Sequence, residues 1–386
     1  MDDAQSVLLP HDGQHTLADL TPALLAAQGV PGLANRLAVP QARTVCLLLI
    51  DGLGWRLLRE HADRAPFLAE ALGDGAPLAA GFPATTPTSV ASLGTGLSSG
   101  RHGIVSFTFE VPGHPLLNAL LWATQLGVRR DLRDEVVPEE VQPERTLFER
   151  AKADGVAVSM AAPPHHRGSG LTRAVLRGAR FVRCHALGDL VTTAADALNA
   201  QGRAFCYAYH GDLDTLGHVY GPGSAPWREQ LGFIDRMAAA IASALPPDGL
   251  LAITADHGMV SVTGADRIDF DDNLELSAGV RVLGGEPRIR HVYTEPDAAR
   301  DVVARWRSVL GERAMVRTRE EAIAAGWFGP TVAEYVRPRI GDVVAAMLGS
   351  AGVVRTAQGT NETMMIGQHG SLTAVEQQVP LILIRR

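Results

Sequence analysis

Cysteine is scarce: Cys46, Cys184 and Cys206 are the only three in 386 residues, and none forms a CxxC pair. No disulfide framework follows. Cys46 and Cys206 sit in apolar, strand-like runs, where cysteine behaves as a small buried hydrophobe, so a reducing compartment is the expected setting. Lysine is nearly missing too, Lys152 standing alone, and arginine carries the cationic character. No stretch approaches the roughly 18 apolar residues of a membrane span. The opening MDDAQSVLLPHDGQ lacks the basic start and apolar run of a secretion signal. These absences make a cytoplasmic protein without membrane attachment the expectation. A net charge of -7 argues against stable nucleic-acid binding, which needs a basic face.

What is present suits a sizeable core, with 46% hydrophobic and 20% charged residues. The length fits one large domain with an insertion, or two domains. After a helix over 17–28, the continuous apolar run TVCLLLI (44–50) stops at Asp51-Gly52. A strand buried on both faces, as in a parallel sheet, ends in that way. Helices are expected over 54–72, 116–125, 145–153, 187–201 and 226–245. Strands are expected from Val156, over 204–209 and over 250–254. Strands alternating with helices indicate a doubly wound α/β fold. From 261 to 366 the texture changes: a strand over 289–293, a helix over 297–310, and stretches 315–317 and 342–347 able to pair with that strand. This reads as an inserted α+β cap (261–366) in a core of 1–260 and 367–386, which closes on a last strand over 379–384.

The stretch 81–96, GFPATTPTSVASLGTG, reads as a turn delivering one hydroxyl to the start of a helix. Thr86 is expected as the N-cap, with Pro87 at the first helical position. A threonine oxygen there lies beside free backbone N–H groups, where phosphate settles. Alone, it is a helix cap and nothing more. The polar residues at strand ends change its meaning: Asp51, Asp214 with His218, Asp256 with His257, and His369. The spacing of Asp214 and His218 lets one helical turn aim both at a single ion. Each residue alone has a structural reading, as a cap or a satisfied histidine. Six at one sheet edge are too many for one tetrahedral zinc, and two metals flanking a hydroxyl nucleophile make a phosphoryl-transfer site.

Together these residues resemble the type I phosphodiesterase/nucleotide pyrophosphatase branch of the alkaline phosphatase superfamily. The resemblance rests on strand-Asp51-Gly52, on Phe82-Pro83 followed by Thr86, and on Thr95-Gly96 with His102-Gly103-Ile104. It rests equally on Asp214-x-x-Gly-His218 before Tyr220-Gly221-Pro222, on Thr254-Ala-Asp256-His257-Gly258-Met259, and on Gly367-Gln-His369-Gly370. It implies an alkaline-phosphatase-like fold with Thr86 as nucleophile. It implies one Zn²⁺ held by Asp51, Thr86, Asp256 and His257, and another by Asp214, His218 and His369; Mn²⁺ fits the same ligands. The substrate implied is a small phosphodiester, a nucleotide pyrophosphate or a related phosphonate, and the chemistry ping-pong hydrolysis.

Two departures stand out. Where the family carries an asparagine after the HGI histidine, this chain has Phe107, which either stacks on a substrate ring or fills core. Thr85 lies next to the nucleophile and takes its place if one residue is gapped. Arg101, Arg288, Arg290, Arg337 and Arg339 are candidate phosphate contacts. The rival readings are monoester hydrolysis, phosphonate hydrolysis, a phosphomutase-like transfer, and a catalytically silent metal-dependent binding protein. Oligomeric state is not encoded in any of these motifs.

Overall fold

In the computed structural model, which describes residues 6–9, 13–356 and 361–386, five strands form the parallel part of the main sheet. They are β1 (Thr44–Ile50), β2 (Ala157–Ala162), β3 (Arg180–Arg183), β4 (Ala204–His210) and β5 (Gly249–Thr254). A second sheet is built from β6 (Val280–Glu286), β7 (Ile289–Thr294), β8 (Ala314–Thr318) and β9 (Val343–Met347), after which β10 (Leu381–Arg385) returns to the first. The first sheet runs in the order β10-β5-β1-β4-β2-β3. All its pairings are parallel except β10, which lies antiparallel to β5. β1 is central and buried at every position, which is why its sequence shows no alternation.

Helices α1 (Leu17–Ala27), α2 (Thr86–Thr95), α3 (Asp212–Tyr220) and α4 (Ala225–Ser243) belong to this layer. The mostly parallel sheet with its flanking helices is the doubly wound α/β arrangement. The second sheet is antiparallel, in the order β6-β7-β9-β8. It has its own core, where Trp306 of helix α5 (Ala299–Leu310) meets Val292, Val343 and Met347. Two ion pairs tie its first hairpin down. Arg288 meets Glu376 at 2.7 Å with both side chains fully buried, and Arg290 meets Glu362 at 2.5 Å.

Several elements differ from the sequence expectation. The helix expected over 54–72 is two, Trp55–Glu60 and Pro66–Leu72, because Ala65, held ahead of Pro66, leaves the helical region at φ -132 and ψ 60. The helix expected over 116–125 is a hairpin of Leu117–Asn118 with Ala123–Thr124. There the Asn118 side chain accepts from Leu121 N–H, and Trp122 adopts a positive φ, which closes a turn and excludes a helix. The stretch within 315–317 pairs with β9 rather than β7. The run 379–384 is broken at Pro380, which has no N–H for a ladder. Finally, the cap of α2 is Thr85; Thr86 is the first helical residue and Pro87 the second, with the helix one residue earlier than the proline rule suggests.

α2 packs against the helix Gly170–Val175, and Gly94 is what permits the approach: a Cβ there would lie 1.9 Å from the Val175 carbonyl oxygen. Gly94→Ala is therefore expected to destabilise the protein by about 3 kcal/mol, measured as a shift in denaturant midpoint. An unchanged midpoint would mean the helices separate freely.

Candidate active site

Parallel strands send their chain ends to one edge of the sheet, and the polar residues collect there. Asp51 follows β1, Asp214 and His218 stand on α3 just after β4, and Asp256 and His257 follow β5. His369 arrives from the segment that returns after the second sheet. Glycines let these segments converge: a Cβ on Gly217 would meet Met259 Sδ at 2.5 Å, and one on Gly367 would meet the Gly217 carbonyl oxygen at 2.3 Å.

Thr86 Oγ lies 3.2 Å from His257 Nε2 and 3.5 Å from each oxygen of Asp51. His257 Nδ1 lies 3.0 Å from the Gly258 carbonyl, so its N–H points there and the Nε2 lone pair points at Thr86. Nε2 is also 3.4 Å from Asp51 Oδ1 and 3.6 Å from Asp256 Oδ2. His369 stacks on His257 with ring centres 3.6 Å apart, and its Nε2 is 3.9 Å from Asp214 Oδ1. Asp214 Oδ2 is 3.3 Å from His218 Nε2, whose Nδ1 faces the Gly367 carbonyl at 2.8 Å.

Three carboxylates in this space create an electrostatic problem. Burial, and then the charges of Asp256 and Asp214, push the Asp51 carboxyl well above the usual range. Burial also favours neutral Asp214, but the imidazoles of His218, His369 and His257 outweigh it and hold that group low. Burial opposes a charged His218, yet Asp214 pushes it up to about 9. Asp214 Oδ1 and Asp256 Oδ2 are buried without a hydrogen-bond partner. Candidate ligand atoms of Asp51, Asp256 and His257 lie within 4.8 Å of one another, as do those of Asp214, His257 and His369. Oxygen and neutral imidazole donors suit Zn²⁺ or Mn²⁺, so the residues present fit divalent metal. His257 belongs to both groups, and His218 enters neither, reaching the cluster through Asp214.

A cleft of about 570 Å³ opens beside Thr86, Asp51 and Asp214. Its walls include Val90, Met160, Leu171 and Leu176, with Leu120 and Leu121 at a partly exposed tip. Arg133 is the sole lysine or arginine among the described residues lining it. That guanidinium is held by Asp131 and by the Gly168 carbonyl. Of the other sequence candidates, Phe107 is half-buried and Arg101 pairs with Glu144 at 3.2 Å; neither lines this cleft. Arg288 and Arg290 are engaged as above, Arg337 meets Glu320 at 2.7 Å, and buried Arg339 donates to the Gly103 and Val141 carbonyls. These arginines thus hold the structure together rather than facing Thr86.

Two neighbours escaped the sequence reading. Tyr209 donates to Asp51 Oδ2 at 2.5 Å and packs on His166, ring centres 4.9 Å apart. Its place at the end of a parallel strand was the available signal, the same one that singled out Asp51. Glu286 reaches the back of the cluster from β6, its Oε2 4.0 Å from His369 Nδ1. Burial, only partly offset by the Thr85 hydroxyl beside it, pushes that carboxyl up to about 8. No local pattern marks it.

Compared with known proteins, residues 45–372 match the family model described as type I phosphodiesterase / nucleotide pyrophosphatase. No curated protein matches the chain in sequence. Among solved structures, murine ectonucleotide pyrophosphatase / phosphodiesterase 5 is similar, with TM-score 0.68 and 17% identity, over 89% of this chain and 88% of that one. An inactive variant of that murine protein, in complex with AMP, has the same score and identity, over 88% and 87%. Phosphonoacetate hydrolase from Sinorhizobium meliloti, in complex with phosphonoformate, has TM-score 0.68 and 19% identity, over 90% and 91%. These likenesses establish the alkaline-phosphatase-like fold.

The bond from Tyr209 to Asp51 is the most direct test of how the cluster is held. Tyr209→Phe is expected to lower metal affinity or activity by about 10–100-fold, the usual cost of losing a partner behind a ligand. Thermal unfolding should change little; an unaltered metal titration would show Asp51 to be held without it.

Proposed function

The chain belongs to the type I phosphodiesterase / nucleotide pyrophosphatase family of metal-dependent hydrolases, and on that premise we propose that it hydrolyses small phosphodiesters or nucleotide pyrophosphates through a phosphothreonine at Thr86. The observation carrying this reading is the position of Thr86 Oγ. It stands at the start of α2, against His257 Nε2 and both Asp51 oxygens. In this reading Asp51, Thr86, Asp256 and His257 would hold one Zn²⁺, and Asp214, His218 and His369 a second, with Mn²⁺ an acceptable substitute. Such ions supply Lewis acidity, lowering the hydroxyl pKa and neutralising charge on phosphate and leaving group.

The residues of the chain account for the rest. Thr86 gives up its hydroxyl proton to solvent in the cleft, and its oxygen bonds to phosphorus as the bond to the leaving oxygen breaks. The departing alkoxide or phosphate takes up a proton from the same solvent. The backbone N–H groups of the first turn of α2 face the equatorial oxygens. Water then attacks the phosphothreonine, restoring the hydroxyl and releasing the monoester. Asp212 and Asp214 line the cleft, and its one arginine is already engaged. Among side chains, a singly charged diester therefore suits it better than a dianionic monoester, whose second charge meets no free arginine or lysine among the described residues lining the cleft. We read residues 261–366 as an insertion in a core of 1–260 and 367–386, working in the cytoplasm.

Thr86→Ala should remove the covalent route and reduce turnover of a bis-aryl phosphate by roughly 10⁶-fold, the scale seen when other covalent nucleophiles are deleted. Thr85→Ala, which removes a hydroxyl that makes no cap bond to α2 and lies beside Glu286, should retain most activity. If the Thr86 variant turns over while the Thr85 variant is dead, the nucleophile is the neighbouring threonine. Elemental analysis is expected to give about two zinc ions per chain, the number a two-metal displacement requires; full activity in strong chelator would overturn the metal assignment.

A further inference from the structure

On the Nδ1 side of His369, the first strand of the second sheet's hairpin ends at Glu286, opposite Ile289. Glu286 is almost wholly buried, and its Oε2 lies 4.0 Å from His369 Nδ1. The next residue to His369 is Gly370, at φ +129, and a Cβ there would lie 2.7 Å from Glu286 Oε1. The carboxyl therefore occupies the space a side chain would otherwise take. The Ala84 carbonyl, 3.1 Å from the same His369 nitrogen, supplies the other contact. The hairpin cannot draw back easily, because Arg288, two residues on, is clamped by Glu376 in the returning segment. Glu376 also accepts from Ser371 N–H at 3.0 Å, two residues beyond His369. One buried pair thus fixes both the tip carrying Glu286 and the loop carrying His369.

The geometry points to Glu286 as a positioning residue for His369. Its carboxyl packs against the Nδ1 side of the ring and keeps Nε2 turned toward Asp214, so the second sheet sets the affinity of the His369 site for its cation. This rests on the reading of His369 as a metal ligand. A side chain packed beside the nitrogen that faces away from the ion fixes ring orientation, and removing a partner behind a ligand costs about 10–100-fold in metal affinity.

The test uses the full-length chain stripped of metal and titrated with Zn²⁺ against a competing chelator, with the melting temperature of the metal-free form as a second readout. Glu286→Ala should weaken one zinc equivalent by about 10–100-fold, while Glu286→Gln, which fills the same space, recovers most of that loss. A Glu286→Ala chain that binds both equivalents within twofold of the parent would overturn the proposal. So would a loss of affinity that is equal in the Ala and Gln variants and matched by an equal loss of metal-free stability, which is what a purely structural contact gives. A parent chain that binds no zinc overturns the metal reading itself, and this inference with it.

Discussion

The constraint on which the rest of this structure depends is the mutual repulsion of Asp51, Asp214 and Asp256. Three carboxylates brought out of water into one space cost several kcal/mol each unless positive charge meets them, and among the described residues the groups that meet them are imidazoles. The opposite displacements of Asp51 and Asp214 express that shortage: one carboxyl is pushed toward its neutral form, while the other borrows charge from His218. A divalent ion resolves both. Its binding free energy then becomes part of the fold's stability, about 4 kcal/mol when free metal is a thousandfold above the dissociation constant. The buried strands, glycine contacts and paired arginines hold in place a cluster that would otherwise spread apart.

Arginine in this chain has a different task from the one its abundance suggests. Arg288, Arg290 and Arg339 are buried and spend their donors on carboxylates and backbone carbonyls. A planar fork with five donors suits such work, since several acceptors can be met at once. The clamp between Arg288 and Glu376 joins the second sheet to the loop of His369. Removing one partner of a buried pair usually costs about 3–5 kcal/mol because the other is left charged and alone.

Much of this was legible in the sequence, for a definable reason. A strand buried on both faces shows as an unbroken apolar run, and in a parallel sheet its last residue marks the edge where ligands bind. Asp51 and Asp256 could be placed by that rule alone. The same rule applied to 204–210 would have given Tyr209. What could not be read was everything set by contacts remote in sequence: the sheet to which Glu286 belongs, the engagement of the arginines, and the position of Phe107 outside the cleft. Local pattern failed where a turn overrode it, as at Asn118 and Trp122, where an apolar stretch with helical texture folds into a hairpin.

His369 enters the cluster only after the whole second sheet has intervened in the chain. During synthesis the carboxylates and His257 leave the ribosome before His369, which lies more than a hundred residues downstream. At ~5–20 residues per second that delay is on the order of ten seconds. The order of residues therefore sets an order of arrival: the five parallel strands emerge first, the second sheet next, and the site is whole only once the returning segment is in place.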